Sequence, residues 1–347
     1  MENEPVCSIN LVVLNGERYV RHCLEALRKQ SFDHRRLVIN ILDNGSTDRT
    51  KEMVKEFMPF LNDFNRVTFI ERLSNLGMWG GQEELLKHSD GEYVIALAVD
   101  VILDTRFVER AVMAGEKDPH IGAIQAKIYR FDVATVGPGM FPDRDIIDTC
   151  GFRVFRSRRV INIGHGEHDH GQFAGTHEIF GVEGAVPVLR RAALEDIRVQ
   201  GEIADHDLFW YAEDLDIAWR LRLAGWKEVY DPSVVAWHDR QTTKKLRKNF
   251  RDFLNIRRTI PLRKRRLEWR NVRFTIVKND YIINILKDLP AIIFREAAMT
   301  LYLVLFEPRV LTEMPTLFRL LPKMISKRRA ILSSARVSPA QIRKFFH

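Results

Sequence analysis

Hydrophobic residues in the first hundred positions follow two alternating spacings. Four short runs rich in aliphatic and β-branched residues are typical of buried strands: Ser8–Leu14, Leu37–Leu42, Val67–Ile70 and Tyr93–Ala98. Between these runs, apolar residues recur three or four positions apart, which predicts a helix after each of the first three strands. Strands and helices in this order predict an α/β fold, with a mostly parallel sheet flanked by helices on both faces.

Polar residues follow the predicted strands at their carboxyl ends, where parallel sheets bind ligands: Asn15, Asp43, Asn75 and Asp100. Asp43 could accept hydrogen bonds from a nucleobase or ribose, or form a turn into the next helix. Gly77 could let a nucleotide approach the backbone closely. Its surroundings match neither GxGxxG nor a Walker loop, so binding of a dinucleotide or ATP loses support.

Two further residues could contact a divalent metal. The carboxylate of Asp100 suits a metal that bridges a diphosphate, because Mg²⁺ needs few protein ligands when phosphates supply the others. Asp100 could equally cap the turn that follows its strand. His238 comes directly after the short predicted strand Val234–Trp237, and it could ligate the metal or fill a polar pocket.

An acidic run, Glu213-Asp214-Leu215-Asp216, begins a predicted helix that ends near Gly225. Acidic residues in a first turn ordinarily complement the helix dipole. However, Asp214 lies in line with Ile217, Ala218 and Leu221 at helical spacing, which would aim its carboxylate into the domain. A carboxylate in that position could serve as a general base.

The region from about Gly122 to Gly184 is rich in Gly, His, Arg and Asp, and it predicts loops with an antiparallel extension over the site. Within it, the run His165–Gln172 matches no standard zinc-binding spacing. A loop that contacts a polar substrate is the favoured interpretation, with Glu167, Asp169 and Gln172 as candidate contacts.

Composition and charge narrow the class of protein. The 347 residues are 46% hydrophobic and 29% charged, as expected for a folded soluble protein, and the three cysteines form no CxxC pair. A reducing cytoplasm is therefore expected. The N-terminus is acidic, with Glu2 and Glu4, and leads straight into a predicted strand, so no signal peptide is expected. From Asp239 to His347 there are 26 Lys and Arg against 8 Asp and Glu, whereas the preceding part is net acidic. The organisation expected is a catalytic domain, 1–244, and a basic helical region, 245–347.

This basic region allows three interpretations. Lys244–Lys248 and Arg263–Arg266 could bind nucleic acid, although no nucleic-acid module is recognisable, so no nucleic-acid partner is expected. The helices could be solvated or form a homo-oligomer. The favoured interpretation is contact with an anionic membrane surface, with the apolar residues of Ala297–Phe306 among the contacts. Charged residues interrupt the apolar stretches, so a transmembrane span is not expected.

The pieces occur in an order that resembles the inverting family 2 glycosyltransferases of the GT-A fold, in their bacterial rhamnosyltransferase-like branch. The matching pieces are Ser8–Gly16, Asp43–Asp48, Asn75–Gly77 with Gly81, the Asp100 strand end, Gly166–Gln172, Gly184-Ala185, Arg190-Arg191, Glu213–Asp216, Arg220–Trp226 and His238, with a weaker match over Asn271–Asn279. Two positions depart from the family pattern. Ala98 replaces the usual Asn or Asp at the first position of the DxD motif, and Leu14 replaces a common aromatic.

The resemblance implies roles for specific residues. The donor nucleotide would be bound by Leu14, Asn15, Asp43, Asn75, Gly77 and Asp100. Asp100 and His238 would hold Mg²⁺ or Mn²⁺, Asp214 would be the catalytic base, and Glu213 would lie on the acceptor side.

The activity implied is metal-dependent transfer of a sugar from a dTDP- or UDP-sugar, with L-rhamnose from dTDP-rhamnose as one candidate. The acceptor would be a lipid-linked saccharide used in cell-envelope polysaccharide synthesis, at the inner face of the plasma membrane. The alternative is a non-catalytic protein that binds nucleotide sugars or polysaccharides through a degenerate metal site.

Overall fold

The computed structural model describes residues 4–240 and 250–347. The expected domain boundary at residue 244 and the basic run Lys244–Lys248 lie outside the described residues. The strands are β1 (Cys7–Val13), β2 (Leu37–Asp43), β3 (Arg66–Glu71), β4 (Tyr93–Ala98), β5 (Val101–Leu103), β6 (Ile121–Arg130), β7 (Ile147–Thr149), β8 (Phe152–Val154), β9 (Val160–Asn162), β10 (His177–Glu178), β11 (Val188–Arg190) and β12 (Lys227–His238). The helices are α1 (Val20–Arg28), α2 (Thr50–Phe57), α3 (Met78–Leu86), α4 (Phe107–Glu116), α5 (Arg191–Asp196), α6 (Glu213–Leu223), α7 (Phe250–Thr259), α8 (Leu262–Asn279), α9 (Ile282–Lys287), α10 (Leu289–Phe306), α11 (Met314–Ser333) and α12 (Pro339–Arg343).

One large sheet forms the centre of the molecule, with strand order β10-β12-β6-β11-β4-β1-β2-β3. Strands β1 to β4 pair in parallel as the sequence predicts, and β12 pairs in parallel with β6. The short strand β11 lies antiparallel between β4 and β6 and joins the two parallel halves. These are the α/β architecture and the C-terminal helices expected from the sequence.

Alternation along the strands divides the core into two layers. Ile9, Leu11 and Val13 of β1 face one layer, where they pack against the buried side chains of α1, α2 and α4. Val12, on the opposite face, packs against Leu85 of α3. Because both faces of the sheet are covered, β1 and β2 are buried along their whole length, as is usual for parallel strands.

Strand β6 differs from the expectation of loops after Gly122. It is a ten-residue interior strand of the sheet, between β12 and β11, although Gln125 and Lys127 interrupt its apolar residues. Both polar side chains are satisfied inside the protein. The Gln125 side-chain oxygen accepts from the backbone N–H of Glu183, and the Lys127 ammonium pairs with Asp169. Such long-range partners are invisible in a local pattern.

A buried ion cluster, formed by Asp205, Asp216, Lys278 and Lys327, joins the C-terminal helices to the rest of the protein. Lys278 Nζ of α8 lies 2.5 Å from Asp205 Oδ2 and 2.8 Å from Asp216 Oδ1 of α6. Lys327 Nζ of α11 lies 2.6 Å from the other oxygen of Asp205. All four residues are almost inaccessible to solvent. The basic helices are therefore attached through internal ion pairs as well as apolar contacts.

Helix α10 is long and apolar enough to cross a membrane by length and composition alone, which the sequence analysis did not expect. Its two charged residues, Arg295 and Glu296, pair with each other, and Glu296 also pairs with Arg273 of α8. Only 6% of the apolar window is buried within the protein.

The buried ion cluster predicts a large stability loss for Lys278→Met. Removing one cation leaves buried carboxylates undercompensated, and the free energy of unfolding should fall by about 3 kcal/mol, because Arg220 and Lys327 still face them. Lys323→Met is the matched control, since its ion pair with Asp207 has a half-exposed ammonium and should contribute less than about 1 kcal/mol. Urea denaturation of both variants measures the difference. Equal losses would contradict the structural role given to the cluster.

Candidate active site

Asp43 is the last residue of β2, and only one of its two carboxylate oxygens has hydrogen-bond partners within the protein. Its Oδ1 accepts from the backbone N–H groups of Gly45 (3.2 Å) and Ser46 (3.0 Å), which forms the expected turn. Its Oδ2 is buried and has no hydrogen-bond partner within the protein. A buried, unpaired carboxylate oxygen is costly, so this atom is suited to accept from a ligand N–H.

The loops after β1 and β2 are held together by Asn15. Its backbone N–H donates to Ser46 Oγ (2.9 Å), and its side-chain oxygen accepts from the backbone N–H of Thr47 (2.8 Å). Leu14 beside it is 38% exposed. The structure therefore brings both residues next to the Asp43 turn.

The loop after β3 is fixed by two asparagines. Asn75 Oδ1 accepts from the Gly77 backbone N–H (2.7 Å) and from Asn44 Nδ2 (3.0 Å). Gly77 has φ +81°, and a Cβ at this position would lie 2.6 Å from the carbonyl oxygen of Phe209. Only glycine fits this close approach, which joins the loop to the segment before α6. Sequence reasoning missed Asn44, although it lies within the run that contains Asp43.

Asp100 and His238 lie together at the ends of β4 and β12. His238 Nε2 is 3.4 Å from Asp100 Oδ2, and His238 Nδ1 is 3.0 Å from Oδ2 of Asp148. Burial alone would lower the pKa of His238, but the two carboxylates raise it to about 10. Burial would likewise raise the pKa of Asp100, and the attraction of His238 outweighs it, so that pKa lies below its usual value.

The donor set at this pair fits a divalent metal that a diphosphate also ligates. Asp100 offers a carboxylate oxygen, and His238 offers Nε2 when a metal displaces the proton that this nitrogen otherwise carries. Asp148 accepts from the other ring nitrogen, as carboxylates behind metal-binding histidines commonly do. Within residues 4–240 and 250–347, no group of three or more His, Cys, Asp or Glu is arranged to hold a metal. Asp100 and His238 are the side chains at this position that could contact a metal, and Ala98 contributes no donor atom.

Arg240 connects this pair to the predicted base. Its Nε donates to both oxygens of Asp148 (2.8 and 2.9 Å), and its Nη2 donates to Glu183 Oε1 (2.6 Å). The next residue, Gly184, donates its backbone N–H to Asp214 Oδ2 (3.2 Å). A continuous series of contacts therefore runs from the Asp100–His238 pair to Asp214.

The carboxylates of Glu213 and Asp214 begin helix α6 and differ in environment. Asp214 accepts from Gly184 and from the backbone N–H of Leu215 (2.8 Å), while burial and the charge of Glu183 raise its pKa to about 6. Burial and the neighbouring Asp214 raise the pKa of Glu213 to about 8. At neutral pH, Asp214 is therefore the ionised member of the pair, and Glu213 is largely protonated.

The segment that leads into α6 has an unusual backbone. Phe209, Tyr211 and Ala212 have φ values of +60°, +82° and +69°, in the left-handed region that non-glycine residues seldom adopt. Each such residue costs on the order of 1–3 kcal/mol, and such strain persists only where the surroundings enforce it. The strain here lies immediately before Glu213 and Asp214.

The loop predicted to contact acceptor lies beside Asp148. His165 Nδ1 is 2.8 Å from the Asp148 carbonyl oxygen. Asp169 pairs with Lys127, Gln172 bonds the backbone of His168 and His170, and Glu167 is exposed. The side chains of Asp169 and Gln172 are thus engaged within the protein.

These features match a known family. The chain matches the sequence model of glycosyl transferase family 2 over residues 8–198, more than half of its length, and belongs to that family. It is a glycosyltransferase, so the expected enzyme class is confirmed.

Among solved structures, a mannosyltransferase from Pyrobaculum calidifontis, in complex with GDP-Man and Mn²⁺, covers 97% of this chain and 87% of its own, with a TM-score of 0.56 and 17% identity. GalNAc-T7 with UDP, GalNAc and Mn²⁺ covers 80% of this chain and 51% of its own, with a TM-score of 0.57 and 13% identity. Both support the GT-A-like fold.

Two curated relatives are longer than this chain, and the match covers half of their length or less. Poly-β-1,6-N-acetyl-D-glucosamine synthase of Staphylococcus epidermidis is 22% identical over 66% of this chain and 49% of its own length. Glucomannan 4-β-mannosyltransferase 2 of Arabidopsis thaliana is 25% identical over 66% of this chain and 40% of its own. The chain spans about half the length of the curated relatives it matches, or less.

Proposed function

We propose that this glycosyltransferase is a metal-dependent inverting enzyme with Asp214 as its general base. The observation that carries the proposal is the environment of Asp214: two backbone N–H groups fix the carboxylate, and its pKa is raised to about 6. A carboxylate with that pKa is ionised at neutral pH yet basic enough to accept a proton from a hydroxyl group in the transition state. Inversion in one step requires no protein nucleophile.

The donor in this proposal is a nucleotide sugar, in the class of dTDP- and UDP-sugars. The free Oδ2 of Asp43 can accept the ring N–H that uracil and thymine share. Asn15, Asn75 and Gly77 fix the loops around it, and Leu14 offers an exposed apolar surface. The solved relatives with GDP-Man and with UDP support a nucleoside diphosphate donor. L-rhamnose remains the candidate sugar from the resemblance of the sequence.

The cofactor proposed is Mg²⁺ or Mn²⁺, held by Asp100 and by His238 Nε2, with Asp148 orienting the imidazole. When bound, the metal would neutralise the charge that develops on the departing diphosphate. Arg240 keeps Asp148 and Glu183 in place. Asp214 takes the proton of the acceptor hydroxyl, which attacks the anomeric carbon from the face opposite the diphosphate.

The proposed acceptor is a lipid-linked saccharide presented at the cytoplasmic leaflet, where the region from residue 250 onward contacts the membrane. Helices α9 to α11 expose many large apolar side chains: Ile282, Ile283, Leu286, Leu289, Ile293, Phe294, Leu301, Val304, Leu305, Phe306, Met314 and Phe318. So large an apolar surface marks an interaction site. Lys287, Arg309 and Arg319 are exposed nearby and suit anionic headgroups.

Asp214→Asn should reduce the release of nucleoside diphosphate from dTDP-rhamnose or UDP-sugars by about 10²–10⁴-fold in kcat. Donor affinity should stay within about twofold, because the base acts on the acceptor. Glu213→Gln is the matched control and should retain more activity. If the two effects are reversed, the base is misassigned.

The pH profile provides a second check on the same assignment. Because only ionised Asp214 can accept a proton, kcat/KM should rise with pH through about 6. Burial and, after it, the charge of Glu183 raise the pKa of Asp214, and Arg240 opposes the rise, while Glu213 stays largely protonated.

Asp100→Ala and His238→Ala should both weaken Mn²⁺-dependent binding of UDP. His238→Ala should also lower the unfolding temperature, because it removes one of the cations that compensate the buried carboxylate of Asp148. Thermal unfolding with UDP, with and without Mn²⁺, measures the effect: the metal-dependent rise in Tm should disappear in both variants. His177→Ala, at an exposed position, is the control. Unchanged protection in both site variants would refute the metal assignment.

The 347-residue protein should bind vesicles that contain anionic phosphatidylglycerol more tightly than neutral phosphatidylcholine vesicles, and salt should weaken this binding. Phe294→Glu combined with Leu305→Glu should reduce binding tenfold or more, whereas Phe60→Glu, equally exposed on the catalytic side, should not. Co-sedimentation measures binding. If the wild type binds neither vesicle, the proposed membrane contact is wrong. If the wild type forms a dimer that the double variant dissociates, the apolar surface mediates self-association instead.

A further inference from the structure

The left-handed segment before α6 is held by one residue far along the chain. Asn271 of α8 is fully buried, and its Nδ2 lies 2.9 Å from the carbonyl oxygen of Leu208, 3.0 Å from that of Trp210 and 2.8 Å from that of Tyr211. Three carbonyl oxygens within four residues of a strained backbone thus point at one amide group. Such convergence explains how the strain described above persists.

The orientation of the Asn271 amide is fixed by a hydrogen bond to its oxygen from the neighbouring Arg270. Its Oδ1 accepts from Arg270 Nε (3.0 Å). Arg270 in turn donates to the carbonyl oxygen of Asp207 (3.0 Å) and to Glu313 (2.9 Å). The amide oxygen therefore faces a guanidinium, and both amide N–H groups face the carbonyls.

Only a side-chain amide satisfies this arrangement. An aspartate would place a carboxylate against three carbonyl oxygens. An apolar residue would leave the carbonyl oxygens of Trp210 and Tyr211 without the donor that Asn271 provides. Two residues about two turns earlier in α8 add contacts to the same segment. The Arg263 guanidinium lies 5.0 Å from the Phe209 ring centre, and the Lys264 ammonium lies 4.7 Å from that of Tyr211. Helix α8 thus contacts both the backbone carbonyls and the aromatic rings of the segment before α6.

We propose that Asn271 is a positioning residue for the transfer reaction, because it fixes the backbone from which the Asp214 carboxylate projects. This inference rests on the proposed role of Asp214 as base. Ala212 is the last left-handed residue, and Asp214 follows two positions later. A rotation at Ala212 moves Asp214 away from Gly184 and from the acceptor hydroxyl. The C-terminal helices are then required for the chemical step, in addition to any role in presenting the acceptor.

Asn271→Ala should lower kcat about 10²-fold, as expected for misplacement of a catalytic group by about 1 Å. Binding of UDP with Mn²⁺ should change less than about twofold. Asn271→Ser retains one hydrogen-bond donor, so its kcat should lie between that of Asn271→Ala and that of the wild type. The matched control is Asn284→Ala, since Asn284 is equally buried and donates to the Pro339 carbonyl (2.8 Å) away from this segment. It should lower the unfolding temperature but leave kcat within about threefold.

A double variant separates positioning from general loss of structure. In an Asp214→Asn background, Asn271→Ala should reduce the residual turnover by less than about threefold, because a positioning residue has no effect once its target is absent. A further 10²-fold loss in that background, or equal losses of kcat in Asn271→Ala and Asn284→Ala, would overturn the inference. If Asp214→Asn itself retains full activity, the proposed base fails, and this inference fails with it. If Asp214→Asn is inactive but Asn271→Ala has wild-type kcat, only the role of Asn271 fails.

Discussion

The compensation of one buried charge organises the candidate site. Asp148 is fully inaccessible to solvent, and such a carboxylate is tolerated only when cations and donors surround it. His238 and Arg240 provide them, so the pKa of Asp148 lies well below its usual range even though burial would raise it. Because His238 is the last residue of β12 and Arg240 follows two positions later, pairing with Asp148 fixes the end of that strand. His238 is thereby turned toward Asp100, and Arg240 toward Glu183, so the two halves of the site share one support.

The uneven distribution of charge along the chain also has an internal explanation. The basic region carries Lys278 and Lys327 into the buried ion cluster with Asp205 and Asp216 of the acidic part. Part of the sequence asymmetry is therefore neutralised within the protein and is unavailable to a partner. The ion pairs leave the apolar faces of α9 and α10 uncovered, and these faces remain exposed on the surface.

The sequence was informative where structure depends on local pattern. Hydrophobic spacing correctly predicts the first four strands, and hence that Asp43 and Asp100 lie at one edge of the sheet. It does not identify Asp148, Arg240 or Asn271, because their importance arises from partners distant in the chain. The same cause hides β6, whose polar residues find partners only after folding. The roles of individual site residues remain predictions that geometry supports.

The dependence of the Leu208–Ala212 segment on Asn271 also orders events during synthesis. The strands of the central sheet and helix α6 all precede α8 along the chain, so they leave the ribosome first, and domains generally begin to fold in that order. The three hydrogen bonds to Asn271 cannot form until α8 has followed. A nascent chain can therefore acquire its sheet and its Asp43 turn early, while the backbone before Asp214 stays unsupported until α8 has been synthesised.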